Sequence, residues 1–376
     1  MKIGISLSGG GVRAAVFHFG LLARLAETNR WEEIEHISTV SGGSLGIALI
    51  IGNSDGTWPD AEAFLLRSLP KAKLMLTESS LVWACLRSGV LRPHHLFRGR
   101  AHLIGSTIAK QWGVTQKVRE LPHRPRWTIN CTTYETGKNW RFSWKRMGDY
   151  LTGYVLDPDF PLSDAVAASA GFPGGIGPLK VKTSEFSWVR FKGGSRIETE
   201  AMVPLHKHFH LWDGGVYENL GSEALVKPGS GLRDDLDFYI ASDAGRPFKF
   251  ETRRFSLAWP FYRPPLRLLD CAMDQVRALR ARTINSQFRS TSEPCGAYLQ
   301  MGCDRDAIFR LAGKPAKALD TQQLQSSRED AKRAATFPTT LRRLSEEEYD
   351  TIFRHGYEVA DATLDAYVPG KFARAE

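Results

Sequence analysis

The sequence has few of the features that mark secreted, metal-binding or membrane-spanning chains. Its 376 residues include five cysteines, an odd number, and none of them has a C-x-x-C or zinc-type spacing. No apolar run approaches the ~20 residues of a membrane span. The opening MKIGISLSGGG enters a strand pattern without the apolar segment of a signal peptide. We therefore expect reduced cysteines and a cytoplasmic protein.

Acidic residues are outnumbered, and the basic excess is local. The formal net charge is +9, yet residues 64–100 alone carry seven basic and one acidic side chain. Residues 246–289 carry ten basic and three acidic side chains. Two such stretches favour an anionic surface as partner. Because no recognition-helix, zinc-finger or RNP signature accompanies them, we expect a membrane surface with peripheral association rather than nucleic acid.

The apolar pattern predicts an α/β protein. Strands are predicted over 3–7, 34–40, 126–134, 137–144, 206–212 and 237–244, a hairpin over 191–200, and helices over 12–27, 45–51 and 266–289. The first four elements form a β-α-β unit and the start of the next helix, so the glycine turns at 9–11 and 42–43 follow neighbouring parallel strands. Both turns then lie at the edge of the sheet where open α/β folds bind ligands.

A candidate nucleophile lies in TVSGGSLG, residues 39–46. Gly42, Gly43, Ser44 and Gly46 fit G-x-S-x-G, in which a serine occupies a sharp strand-to-helix turn. Ser44 is therefore the predicted nucleophile. Ser41, at the strand end, is interpreted as a turn or hydrogen-bonding residue.

The first glycine turn predicts an anion site. Gly9, Gly10 and Gly11 precede a predicted helix, whose N-terminal N–H groups can bind an oxyanion. Arg13 places a cation in the first turn of that helix, which calls for a compensating anion or a carbonyl partner.

A candidate base lies in LWDGGVYENL, residues 211–220. Asp213 ends an apolar strand and precedes Gly214 and Gly215. From this position its carboxylate can point to the same edge of the sheet and activate a serine hydroxyl.

Four segments together resemble the patatin-like phospholipase family. They are SLSGGGVRAAVFHFGLL, VSGGSLG, AASAGFPGGIGPL and WDGGVYENL, in this order over residues 6–220. The resemblance implies a three-layer α/β/α fold with a mostly parallel sheet. Because the sequence has no internal repeat or low-complexity linker, we expect one continuous domain, with residues 1–245 as the catalytic core and 246–376 as a largely helical region packed on it. The resemblance also implies a Ser-Asp dyad, here Ser44 and Asp213, with no catalytic histidine, metal or cofactor. Ala14 and Leu220 replace residues common in the family, glycine and proline, and leave the substrate open.

We therefore expect a serine lipid acyl hydrolase acting on phospholipids or lysophospholipids. Two alternatives stay open: an anion-binding regulatory module on the same fold, and a Ser-His-Asp esterase that uses His355, which follows Asp213 in the chain. The alternating His206, His208 and His210 also permit a metal site. Aromatic and arginine residues in 255–269, and apolar and basic residues in 65–100, are typical of either a membrane-facing lid or a buried face. The sequence does not indicate an oligomeric state.

Overall fold

The structure is a computed structural model that describes residues 1–81, 83–85, 99–173, 175–193, 197–227, 229–248, 263–290, 293–315 and 321–374. Parts of three predicted segments lie outside the described residues. These parts are 82 and 86–98 of the first basic stretch, 249–262 of the second, which includes Trp259, Phe261 and Tyr262, and 194–196 of the hairpin.

The predicted strands and helices correspond closely to elements of the described residues, and further strands and helices lie between them. The strands are β1 (Ile3–Leu7), β2 (Ile34–Val40), β3 (Arg126–Thr133), β4 (Asn139–Ser143), β5 (Arg146–Asp149), β6 (Gly153–Leu156), β7 (Leu179–Lys182), β8 (Trp188–Phe191), β9 (Thr199–Met202), β10 (His208–Asp213), β11 (Val226–Lys227), β12 (Gly231–Leu232), β13 (Phe238–Asp243) and β14 (Gly296–Gln300). The helices are α1 (Gly11–Ala26), α2 (Gly42–Gly52), α3 (Leu69–Glu78), α4 (Arg100–Trp112), α5 (Leu162–Ser169), α6 (Arg263–Ser290), α7 (Arg305–Leu311), α8 (Thr321–Thr336) and α9 (Glu346–Tyr367).

The central sheet has a parallel part and an antiparallel part. Strands β14, β13, β1, β2 and β3 lie side by side in this order and are parallel. Beyond β3 the order continues through β4, β5, β6, β8 and β9, all antiparallel. Short turns join β3 to β4, β4 to β5 and β5 to β6, and a turn of that length permits only antiparallel pairing. The predicted α/β fold with a parallel centre is confirmed, and the antiparallel part extends it.

Helices cover both faces of the parallel part. The chain steps from β1 to β2 to β3 in one direction and from β13 to β14 in the opposite direction. Because such crossovers are right-handed, α1 and α2 lie on one face and α6 on the other. The apolar core divides accordingly into a large cluster that includes Phe17 and Leu45 and a small one that includes Tyr239 and Ile284. The result is three layers.

Strand β10 pairs with β3 beyond the end of β2. Leu211, Trp212 and Asp213 lie opposite residues 131–133 of β3, whereas β2 reaches only Asn130 of that strand. The carboxyl end of β10 therefore lies next to the turn that follows β2, which places the two predicted chemical segments together.

The carboxyl-terminal part of the chain packs on the first helix. A Cβ added at Gly20 of α1 would lie 2.4 Å from the Phe353 carbonyl oxygen of α9, and one at Gly356 would lie 2.1 Å from that of Phe17. These two glycines allow α1 and α9 to approach closely. The same part of the chain also supplies β14 to the central sheet. Of the helices in the described ranges, none is long and apolar enough to cross a bilayer.

Candidate active site

Ser41 occupies the sharp turn between β2 and α2. Strand β2 ends at Val40, helix α2 begins at Gly42, and Ser41 between them has φ 50° and ψ −112°. Such a conformation costs a residue with a Cβ about 1–3 kcal/mol and is found mainly at functional sites. Ser41 is buried but keeps 8% of its surface exposed. The strain and the residual exposure indicate a serine that is presented to a ligand.

Two glycines make room for this turn. A Cβ at Gly42 would lie 2.2 Å from the carbonyl oxygen of Gly11, a backbone atom that cannot move aside cheaply. A Cβ at Gly9 would lie 3.0 Å from the Cβ of Ser41. The predicted meeting of the two glycine turns is therefore what the structure shows, and it requires glycine at both positions.

Asp213 faces Ser41 from the end of β10. Its Oδ1 accepts a hydrogen bond from the N–H of Gly215 at 2.8 Å, and its own N–H donates to the carbonyl oxygen of Gly171 at 3.1 Å. Burial raises the pKa of Asp213 from 3.8 to about 7, against the opposing effects of the Gly215 N–H and of hydrogen bonding with the Ser41 side chain. A carboxylate with this pKa can take up a proton near neutral pH.

Ser44 is not next to Asp213 in the hydrogen-bond network, which corrects the expected pairing. It is the third residue of α2, it has no exposed surface, and its Oγ bonds to Thr39 Oγ1 at 2.8 Å and to Ser169 Oγ at 2.9 Å. The G-x-S-x-G match is centred three residues beyond the turn, inside the helix. The strand end at Val40, which the apolar pattern did predict, was the signal that could have identified Ser41.

Two members of the predicted oxyanion set have other partners. The Gly9 N–H donates to the carbonyl oxygen of Asn219 at 3.1 Å. The buried Arg13 guanidinium donates to the carbonyl oxygens of Phe337 at 2.8 Å and Ala244 at 2.9 Å. Arg13 therefore has carbonyl partners, which is one of the two predicted outcomes. These hydrogen bonds tie the first turn of α1 to Ala244 and Phe337.

Three other amides remain for an oxyanion. Among the residues that the structure describes, none accepts a hydrogen bond from the N–H of Gly10, Gly11 or Gly42. Gly42 directly follows Ser41, the position that supplies an oxyanion donor at nucleophile turns of this kind. Its contact with Gly11 brings donors from both turns to one place.

The histidines described do not complete a triad or a metal site. His355 lies in α9, and its Nε2 accepts a hydrogen bond from the Gly302 N–H at 2.9 Å. Burial lowers the pKa of His355 to about 4. His210 Nδ1 bonds to Glu135 at 2.6 Å. Within the described ranges there is no group of three His, Cys, Asp or Glu residues that could hold a metal ion. The hydrogen-bond partner of His355 is Gly302, so the structure does not pair His355 with Asp213.

A serine at a strained strand-to-helix turn, at the carboxyl edge of parallel strands, is the arrangement of α/β hydrolytic enzymes. Residues 5–226 match the family model of the patatin-like phospholipases, and the chain belongs to that family. The sequence motifs predicted this family, and the match confirms it.

The fold is similar to that of a human enzyme. Human GIVD cytosolic phospholipase A2 aligns with 96% of this chain at 17% identity and a TM-score of 0.55, and 58% of that enzyme is covered. Its complex with methyl gamma-linolenyl fluorophosphonate and terbium chloride aligns with 96% at 18% identity and a TM-score of 0.51, with 57% covered. This chain thus spans somewhat more than half of the enzyme's length. No curated protein matches the sequence.

Proposed function

We propose that this protein is a serine lipid acyl hydrolase in which Ser41 is the nucleophile and Asp213 the base. The observation that carries the proposal is the strained Ser41 turn, whose side chain faces a carboxylate with a pKa of about 7. No histidine takes part.

Acylation begins with attack of Ser41 Oγ on the ester carbonyl carbon of the lipid. Asp213 accepts the hydroxyl proton as the new C–O bond forms. The N–H groups of Gly10, Gly11 and Gly42 stabilise the negative charge on the carbonyl oxygen. The tetrahedral intermediate then expels the alcohol oxygen, which takes the proton from Asp213, and the fatty acyl group stays on Ser41.

Deacylation repeats these steps with water. Asp213, ionised again, accepts a proton from water as its oxygen attacks the acyl carbon. Collapse of the second intermediate releases the fatty acid and returns the proton to Ser41 Oγ. Each cycle consumes one ester and one water and leaves both residues as they began.

The substrate that we propose is a phospholipid or lysophospholipid at an anionic membrane surface reached from the cytoplasm. The family and the human relative with its fatty-chain fluorophosphonate support a lipid acyl group. The basic excess of residues 64–100 and 246–289 supports an anionic surface.

A pair of alanine variants tests the nucleophile. Wild type, Ser41→Ala and Ser44→Ala are treated with a long-chain alkyl fluorophosphonate, and the modified peptide is sequenced by mass spectrometry. The same proteins are mixed with liposomes of defined phospholipid, and free fatty acid and lysolipid are measured. We expect the phosphonyl group on Ser41, no label or product with Ser41→Ala, and retained labelling at Ser41 with Ser44→Ala.

Ser44→Ala is the matched control, because it removes a buried hydroxyl three residues away by the same change. Label on Ser44, or full hydrolysis by Ser41→Ala, would contradict the assignment. Absence of any lipid product from a wild-type protein that is labelled would leave a serine hydrolase but remove the lipid substrate.

A further inference from the structure

The segment AASAGFPGG has no role in the chemistry described so far, although it contacts both proposed catalytic residues. Helix α5 ends at Ser169, and Gly171 follows it in the chain. We infer that this turn, residues 169–171, sets the position of Ser41 relative to Asp213, and that Ser169 is a positioning residue for the nucleophile. The inference rests on the proposed function of Ser41.

The turn holds the backbone of both residues. Ser169 Oγ accepts a hydrogen bond from the Ser41 N–H at 3.0 Å. The Gly171 carbonyl oxygen accepts one from the Asp213 N–H at 3.1 Å. The two hydrogen bonds come from positions two residues apart, so a single turn of chain fixes both strand ends.

The hydroxyl groups around Ser169 can be oriented in only one way. A carbonyl oxygen only accepts, so Ser169 donates its hydrogen to the Asn130 oxygen at 2.8 Å. Ser44 must then donate to Ser169, and Thr39 must donate to Ser44. Thr39 in turn accepts from the indole N–H of Trp127 at 2.9 Å, which can only donate. Every hydroxyl hydrogen in this series of hydrogen bonds therefore has an assigned acceptor.

This order leaves Ser169 Oγ as an acceptor toward Ser41. Its one hydrogen points to Asn130, so its lone pairs face the Ser44 hydroxyl and the Ser41 N–H. Ser169 has no exposed surface, so bulk water does not reach its place. Without this acceptor the strained φ of Ser41 loses the hydrogen bond that holds its amide, and the residue can relax away from Asp213.

The consequence concerns turnover rather than substrate binding. A displacement of about 1 Å at a reacting group can cost on the order of 100-fold in rate. Ser169 is fully buried and is not one of the proposed oxyanion donors, so its loss should reduce kcat and the reactivity of Ser41 while KM stays nearly constant.

The test compares Ser169→Ala with Ser163→Ala, which removes another buried serine hydroxyl from the same helix. Phosphonylation by an alkyl fluorophosphonate, kcat and KM on a soluble ester, and thermal unfolding are measured for each. We expect Ser169→Ala to lose on the order of 100-fold in phosphonylation rate and kcat, with KM changed less than about threefold. Ser163→Ala should keep wild-type reactivity.

A folded Ser169→Ala that is phosphonylated at the wild-type rate would overturn the inference, since a purely structural serine lowers only the melting temperature. If Ser169→Ala does not fold, Ser169→Cys carries the test. Its sulfur fills the space but is a weak acceptor, so a loss of tenfold or more supports the inference and wild-type reactivity overturns it. Peptide mapping of the wild type separates the two proposals. If the wild type is labelled on Ser41 and the Ser169 variant reacts normally, only the positioning role of Ser169 is overturned. If the wild type is labelled elsewhere, the assignment of Ser41 as nucleophile and the positioning role are both overturned.

Discussion

Replacing Asp213 with asparagine should abolish turnover and stabilise the fold at the same time. The carboxylate is almost completely buried, and its pKa is raised from 3.8 to about 7. Asparagine keeps the shape and the oxygen that accepts from the Gly215 N–H, but it has no proton to exchange. The substitution therefore removes the proposed base, and it also removes the free-energy cost of burying the Asp213 charge.

The magnitude follows from the pKa. At 1.36 kcal/mol per pKa unit, a rise from 3.8 to about 7 means that ionised Asp213 destabilises the folded state by about 4 kcal/mol. At roughly 2.1 cal/mol/K of unfolding entropy per residue, 376 residues convert this to about 5 °C in melting temperature.

The sign gives a pH dependence. Below pH 3.8 Asp213 is protonated in both the folded and unfolded states and costs nothing. Between about pH 4 and pH 7 the unfolded state releases its proton while the folded state keeps it, so wild-type stability falls as pH rises and then levels off above pH 7. Asp213→Asn lacks this loss, and its advantage should grow from about 2 °C at pH 5 to about 5 °C at pH 8.

The assay is thermal unfolding of wild type and Asp213→Asn at pH 5, 6, 7 and 8, with ester hydrolysis measured in parallel. Asp149→Asn is the matched control. That equally buried carboxylate accepts from Leu151 N–H and Thr133 Oγ1, among others, so its neutralisation should give no increase. An Asp213→Asn melting difference that is negative, or the same at pH 5 and pH 8, would refute the reasoning. Hydrolysis near the wild-type rate would refute the base assignment.

Four further outcomes can be measured. In wild type, kcat/KM on a neutral soluble ester should fall about tenfold per pH unit below about pH 7, because Asp213 must be ionised to act; a flat profile from pH 5 to 8 would speak against it. Gly42→Ala should lose activity or folding because its Cβ would lie 2.2 Å from a backbone oxygen of Gly11, whereas Gly46→Ala, with its nearest contact at 3.4 Å, should be tolerated. Arg13→Ala should lower the free energy of unfolding by roughly 1–3 kcal/mol for each of two carbonyl oxygens left unpaired, measured by denaturant titration. Binding to anionic vesicles should weaken as salt rises, since exposed charges are screened over about 8–10 Å, and equal binding to neutral vesicles at every salt concentration would contradict it.

The parts of the fold that could be predicted are those encoded locally. The apolar alternation from Ile3 to Leu7 and from Ile34 to Val40, with glycine turns after each, determines both strands and the edge at which they end. Asp213 was predicted by the same reasoning, since a polar residue after an apolar strand lies at that edge. The family motifs predicted the class of fold, which the structure confirms.

The choice between Ser41 and Ser44 could not be made from a five-residue pattern. Both serines have glycine neighbours. Apart from the strand end at Val40, what separates them is the backbone strain of Ser41 and its position facing Asp213, which is distant in sequence. The same holds for Arg13, whose carbonyl partner Phe337 lies on a segment far along the chain. The role of Ser169 depends on a hydrogen-bond network that no spacing rule describes.

The docking of α9 on α1 has a consequence for the order in which the protein can mature. The Val12 N–H, at the start of α1 next to the glycine loop, donates to the Thr340 carbonyl oxygen at 3.0 Å, and α1 packs against residues 346–367 through Gly20 and Gly356. During synthesis the first β-α-β unit, which ends at Val40, is made about 300 residues before Thr340 and α9. The nascent chain therefore lacks the contacts that hold α1 until residues 340–367 have been made, and contacts so distant in sequence form slowly. We therefore expect the start of α1, with the glycine loop before it, to reach its final position only after α9 has folded back onto α1.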